Sequence, residues 1–164
     1  GQVLTSTGTV PNWEAAAGGV TDVKFSAFHS AGAANVTGDG TAYTVVYGTE
    51  VFDTGGDFAS NTFTVPTDGA GYYIFTMMLS YIQVASDHTA GRIEFITTLN
   101  DHMHIFNAYG ISDNNPLGRP TTSCIMKMDA GDTCYVRFTV YNGSKTIDLQ
   151  TTYLSNQFSG ALLG

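Results

Sequence analysis

An all-β sandwich or barrel is the fold class this sequence predicts, and three observations carry it. Short runs rich in Val, Ile, Thr, Tyr and Phe recur after Asp22, separated by clusters of Gly, Asp and Asn, which is the pattern of strands joined by turns. Alternation is cleanest over residues 134–141, where Cys134, Val136, Phe138 and Val140 point to one face and Tyr135, Arg137, Thr139 and Tyr141 to the other. Nineteen glycines accompany ten Phe, nine Tyr and one Trp, so many turns close around large core side chains, an economy found in jelly rolls. No segment carries a convincing helical period.

At 164 residues and 17.4 kDa the chain has the size of one globular domain with a single core. Its 43% hydrophobic and 12% charged residues, against a usual charged share of roughly 25%, exclude a disordered chain. Six Lys and Arg against fourteen Asp and Glu leave a net charge of −8, so nucleic acid and anionic membranes are poor partners. So few charges leave large neutral patches that are expected to be buried in an oligomer.

Residues 1–20, rich in Gly, Thr, Ser and Ala and without a period of 2 or 3.6, are expected to form a linker that ends near Gly19, with one globular domain over 21–164. The first residue is Gly and no signal peptide is visible, so the chain is expected to be a piece of a longer protein. Residues 72–84 and 93–99 are apolar almost continuously, as expected of strands covered on both sides, and a partner subunit is one candidate for the second cover. The longest apolar stretch, Tyr72 to Ala85, is broken by Thr76, Ser80 and Gln83 and is shorter than the roughly 20 residues of a spanning helix, so the chain is expected to be soluble, without membrane insertion. Asp129-Ala130-Gly131-Asp132 separates two apolar runs and predicts a hairpin. That register would leave Cys124 and Cys134 unpaired, packed as small hydrophobes, and they fix no redox compartment.

Within this pattern lies a more specific one: Tyr47, five residues, Asp53, four residues, Phe58, then Phe63, Gly71, Tyr73 and Phe75. It resembles the aromatic signature of the complement C-one-q globular head family. The departures are two altered gap lengths and Met77 in place of a final aromatic, as loop-length changes would produce. Lys24-Phe25-Ser26-Ala27-Phe28 looks like the family's first strand, Gly131-Asp132 like its Gly-Asp turn, and Phe158-Ser159-Gly160-Ala161-Leu162-Leu163 like its closing strand. Together the matches span roughly residues 23–163. The resemblance implies a ten-stranded antiparallel jelly-roll sandwich, similar to tumour necrosis factor, assembled as a compact homotrimer. The leader, Gly1-Gln2-Val3-Leu4-Thr5-Ser6-Thr7-Gly8 followed by Pro11-Asn12-Trp13-Glu14, resembles a segment that recurs in phage tail-fibre and related virion fibre proteins. The two resemblances together imply a viral fibre whose shaft lies upstream, with this head as its distal knob.

Catalytic chemistry finds little support. There is no G-x-S-x-G elbow, and Asp87-His88, the one adjacent acid and histidine, reads as a solvated turn. Glu14, Glu50 and Glu94 fall in different segments with no facing pair for a glycosidase. His102 and His104 share a strand face and could meet a metal on a threefold axis, but in the resembled fold that segment lies away from the axis, and packed or surface histidines are the default. Calcium is conceivable, since related heads often bind it and Asp39, Asp53, Asp57, Asp87, Asp113 and Asp132 occupy turn-like contexts. No contiguous calcium loop exists, and no ligands or other cofactor are assigned. Asn35-Val36-Thr37 and Asn142-Gly143-Ser144 match the glycosylation sequon, which matters only in a secreted eukaryotic protein.

The expected function is therefore non-enzymatic: a homotrimeric head at a virion fibre tip that attaches the particle to a host cell-surface receptor, glycan or protein. The longest non-repetitive loop, Tyr109 to Pro120, supplies the candidate receptor contacts Tyr109, Asp113, Asn114, Asn115 and Arg119, with Tyr109 and Arg119 as anchors. It reads equally as an ordered crossover between strands, and the Asp53 to Asn61 loop is the next candidate. Alternatives are a structural trimerisation, capping or capsid-decoration module, and a secreted, extracellular recognition protein of the complement type.

Overall fold

A computed structural model describes residues 2–6, 11–15, 22–106, 117–151 and 156–163, with residues 2–6, 11–15, 103, 104 and 106 described by backbone alone. The strands are β1 (Gln2–Ser6), β2 (Pro11–Ala15), β3 (Lys24–Phe28), β4 (Ala33–Thr37), β5 (Tyr43–Thr44), β6 (Thr49–Asp53), β7 (Phe58–Ala59) and β8 (Thr62–Thr64). They continue as β9 (Gly71–Met78), β10 (Tyr81–Ile82), β11 (Ala90–Thr97), β12 (His102–Phe106), β13 (Thr121–Met128), β14 (Thr133–Tyr141), β15 (Ile147–Leu149) and β16 (Gln157–Leu162).

Two antiparallel sheets form a jelly-roll sandwich. One runs β13-β9-β16-β3-β6 and the other β12-β11-β14-β8-β7, with β5 beside β14. Among the described residues the first sheet holds five strands and the second six, counting the two-residue β5. A small sheet, β10-β15-β4, lies apart from them in the pairing, and β1 pairs only with β2. The leader read as a linker thus carries a two-stranded hairpin of its own.

Alternation makes the core. Cys134, Val136, Phe138 and Val140 of β14 are fully buried, facing Tyr73, Phe75 and Met77 of β9 and Phe158 of β16 within one apolar cluster. Phe25 is its hub: its ring stacks at 4.9 Å on both Phe58 and Phe63 and meets Phe158 edge-on at 4.9 Å. Phe75 and Phe95 join the two sheets at 6.1 Å. Such pairs add about 0.5–1.5 kcal/mol each beyond area burial.

These contacts explain the spaced aromatic motif. Tyr47 and Phe58 meet edge-on at 6.3 Å, and between them the Asp53 carboxylate accepts the Asp57 and Phe58 N–H groups at 3.2 and 2.9 Å, closing the intervening turn. An acceptor at position 53 and aromatics on either side are what this reversal needs. The Tyr73 hydroxyl donates to the Gly69 carbonyl at 2.6 Å. The Tyr47 hydroxyl is buried with no hydrogen-bond partner among the described residues, and burial drives its pKa well above the usual tyrosine value. Leaving such a group unsatisfied costs about 1–3 kcal/mol. Tyr47→Phe is therefore expected to raise the melting temperature by about 2–4 °C, read by thermal unfolding; a fall would mean that the hydroxyl is satisfied.

The turn at 129–132 forms as its residues dictate: Asp132 N–H donates to the Asp129 carbonyl at 3.0 Å and Gly131 takes φ 87°. It is not a hairpin. β13 pairs with β9 and β14 pairs with β11, β8 and β5, so the turn carries the chain from one sheet to the other. Gly and Asp set a local reversal, whereas the partner of each strand follows from which long-range neighbour covers its apolar face. The two cysteines consequently lie in opposite sheets, Cys134 buried and Cys124 half-buried against the core, and both are free thiols. Burial pushes the Cys124 thiol up to about 11, far from a reactive thiolate.

Candidate functional site

The outer faces of the two large sheets differ in kind. On the β11–β14 side, Arg137 donates to both oxygens of Glu94 at 2.9 and 3.0 Å, and Arg92 Nε lies 3.2 Å from Glu94 Oε2. Asp101 approaches Arg137 at 3.6 Å, and the Arg92 guanidinium lies 5.4 Å from the Tyr141 ring centre. Glu94 is thereby buried without being orphaned, and the Glu94 hydrogen bond is the main reason the Arg137 pKa rises. The second cover expected for residues 93–99 comes from within the chain at this position.

On the β9 side nothing comparable covers the sheet among the described residues. Register places Ile125 opposite Ile74 and Ile74 opposite Ala161, with Lys127 opposite Tyr72 in the next row. A further row runs Ser123, Thr76, Ser159, Ser26 and Phe52. Ile125 is 61% exposed, Tyr72 54% and Phe52 46%, and the charges in these rows are Lys127 on β13 and Lys24 on β3. Because Ala161 projects so little, a dimple of about 210 Å³ opens beside Phe52 and Ile74. A sheet face that exposes large apolar side chains among hydroxyl groups, with few charges, suits a contact surface.

Of the candidate receptor residues, Arg119 is exposed, while Tyr109, Asp113, Asn114 and Asn115 lie outside the described residues. The base of that loop is fixed. Gly118 and Tyr81 exchange backbone hydrogen bonds at 2.9 and 3.0 Å, and Leu79 N–H donates to the Pro120 carbonyl at 3.0 Å. A Cβ at Gly118 would sit 2.1 Å from Tyr81 Cζ, so only glycine admits this approach.

The catalytic candidates are committed elsewhere. His88 is fully buried rather than solvated: its Nδ1 accepts the Ala85 N–H at 2.8 Å and its Nε2 meets the Ser144 carbonyl at 2.9 Å, so both ring nitrogens are used. Asp87 lies exposed beside it at 3.7 Å. His102 is exposed on the edge strand β12.

No three His, Cys, Asp or Glu groups converge on a metal position among the described residues, and the turn aspartates serve their own turns. Asp39 accepts the Thr41 N–H at 2.9 Å, while Asp132 accepts the Thr98 hydroxyl at 2.6 Å and the Asp129 N–H at 2.8 Å. Thr41 and Thr98, respectively, lower the Asp39 and Asp132 pKa values below 3.8, so the stability these groups supply is complete above pH 3.8 and lost as pH falls below it. Asp57 has the opposite sign, raised first by burial and then by Asp53 and Asp68. Asp132→Ala is expected to melt below the wild type at pH 7, with the gap closing well below pH 3.8. Equal melting temperatures at pH 7 would contradict the role of this carboxylate.

No family model and no curated protein matches the chain. Solved structures do. The globular domain of zebrafish complement 1qA protein superposes with a TM-score of 0.58 at 14% identity, covering 87% of this chain and 98% of that one. Murine APRIL at pH 8.0 gives 0.58 at 11% identity, covering 87% and 100%. The chain therefore has the jelly-roll fold that these two proteins share, as the spaced aromatics and closing strand predict.

Proposed function

We propose that this chain is a non-enzymatic, homotrimeric head domain at the tip of a viral fibre, attaching the particle to a host surface receptor. The observation that carries the assembly is the contrast between faces: ion pairs cover the β11–β14 face, while Ile125, Tyr72 and Phe52 lie open on the other, beside the half-buried Ile74. A second copy would bury this apolar surface. Three copies round an axis would register three shaft chains and multiply a weak receptor site by effective concentration. The complement-type fold supports a recognition role, and the leader's resemblance to fibre proteins supports the virion setting.

Enzymatic readings lose ground because Glu94 and His88 are held in structural contacts. The test is binding of the trimer to host cells. Tyr109→Ala with Arg119→Ala is expected to abolish it while leaving the mass in solution unchanged. Unchanged binding would refute the choice of loop. A trimer that binds no cell envelope, but whose removal prevents fibre assembly, would instead establish a structural module.

A further inference from the structure

The small sheet carries a concavity that the attachment loop and the apolar face do not use. Gly32, Ala33 and Ala34 project at most a methyl group, and with Ile82, Asp148 and Gln150 they bound an open trough of about 410 Å³. A second hollow of about 230 Å³ shares Gly32 and Ala33 and extends to His29 and Tyr43.

The polar groups here are fixed but not saturated. One Asp148 oxygen accepts the Asn35 N–H at 2.7 Å and the other accepts Gln83 Nε2, which leaves a further lone pair on each. Both donors sit in left-handed backbone, Asn35 at φ 53° and Gln83 at φ 67°, a conformation that costs free energy in a residue with a side chain. Gln150 turns its amide oxygen to the Ser80 hydroxyl at 3.4 Å, so its amide nitrogen remains as a donor. In the second hollow, His29 Nδ1 donates to the Val46 carbonyl at 2.5 Å. His29 Nε2 is buried, with no partner among the described residues, and lies out of reach of a ligand in the hollow.

This set of groups selects a ligand class. No Lys or Arg borders either hollow, and the chain carries a net charge of −8, so an anion is disfavoured. A shallow methyl-lined floor suits a C–H ring face, and the remaining lone pairs of the two Asp148 oxygens call for hydroxyl donors. We propose that the trough binds a neutral saccharide unit, its hydroxyls donating to Asp148 and accepting from the Gln150 amide. The inference rests on the recognition reading above and names the receptor chemistry.

Saturation-transfer NMR of the intact protein in EDTA, against the methyl glycosides of glucose, galactose, mannose and N-acetylglucosamine, tests it. At least one glycoside is expected to bind, and Asp148→Ala is expected to weaken it about tenfold or more, the loss of one or two hydrogen bonds to a charged group. Ala34→Trp is expected to do the same by filling the trough. Ala34 is exposed and outside the hydrogen-bonded network, so this variant decides the matter if Asp148→Ala fails to fold. No transfer to any of the four, or undiminished transfer in Ala34→Trp, overturns the proposal. Host-cell binding by the same preparation separates the two readings: cells bound without sugars would refute the trough and leave attachment standing, and neither bound would refute both.

Discussion

Gly160→Val is expected to destabilise the domain by about 3 kcal/mol, a fall of about 6–12 °C in melting temperature. A Cβ at this position would stand 2.6 Å from Phe25 Cε1 and 2.8 Å from two Phe75 ring atoms, with no backbone strain involved. Neither ring can swing aside, because Phe25 is held by Phe58, Phe63 and Phe158, and Phe75 by Tyr73 and Phe95. The glycine in the closing strand is thus a packing requirement of the aromatic core. Its partial rescue by Phe25→Leu, which removes the nearest ring atom, would identify the clash as the cause. A melting temperature within 1 °C or so of the wild type would contradict this account of the core.

Ile125→Glu carries the second large expectation, on assembly instead of folding. In a single chain Ile125 is 61% exposed on the edge strand β13, beside Ile74, so the substitution costs the isolated fold little. In an oligomer that buries the row against a sister chain, a carboxylate there would lie desolvated beside Ile74, at a cost of several kcal/mol per copy. The expected result is a threefold drop in solution mass with an unchanged far-UV circular dichroism spectrum. An unchanged mass would show that this face is not the contact surface.

How much of this was legible in the sequence depends on range. The alternation of β14, the Asp53 reversal and the Gly-Asp turn are set by neighbours in sequence, and each appears where its residues predict. The aromatic spacing was legible as a resemblance, and the structure supplies its reason in the stack around Phe25.

Long-range pairing was not legible. The turn at 129–132 reads locally as a hairpin, yet its flanking strands find partners in opposite sheets. Glu94 has no visible mate in sequence because Arg137 lies 43 positions away across the β11–β14 ladder. His88 reads as solvated because its neighbours are polar; Gly38 and Gly143, which pack against its ring, are remote in sequence. The near-continuous apolar run after Tyr72 reads as a strand covered on both sides. The structure divides it into an inner set, Tyr73, Phe75 and Met77, and an outer set that includes Tyr72 and Ile74.

Mass in solution, by light scattering at several concentrations and with and without a chelator, tests the central claim most directly. The account predicts three times the 17.4 kDa chain mass at every concentration, unchanged by the chelator. A monomer would contradict it, because the Tyr72, Ile74 and Ile125 face would then be left without a sister chain to cover it.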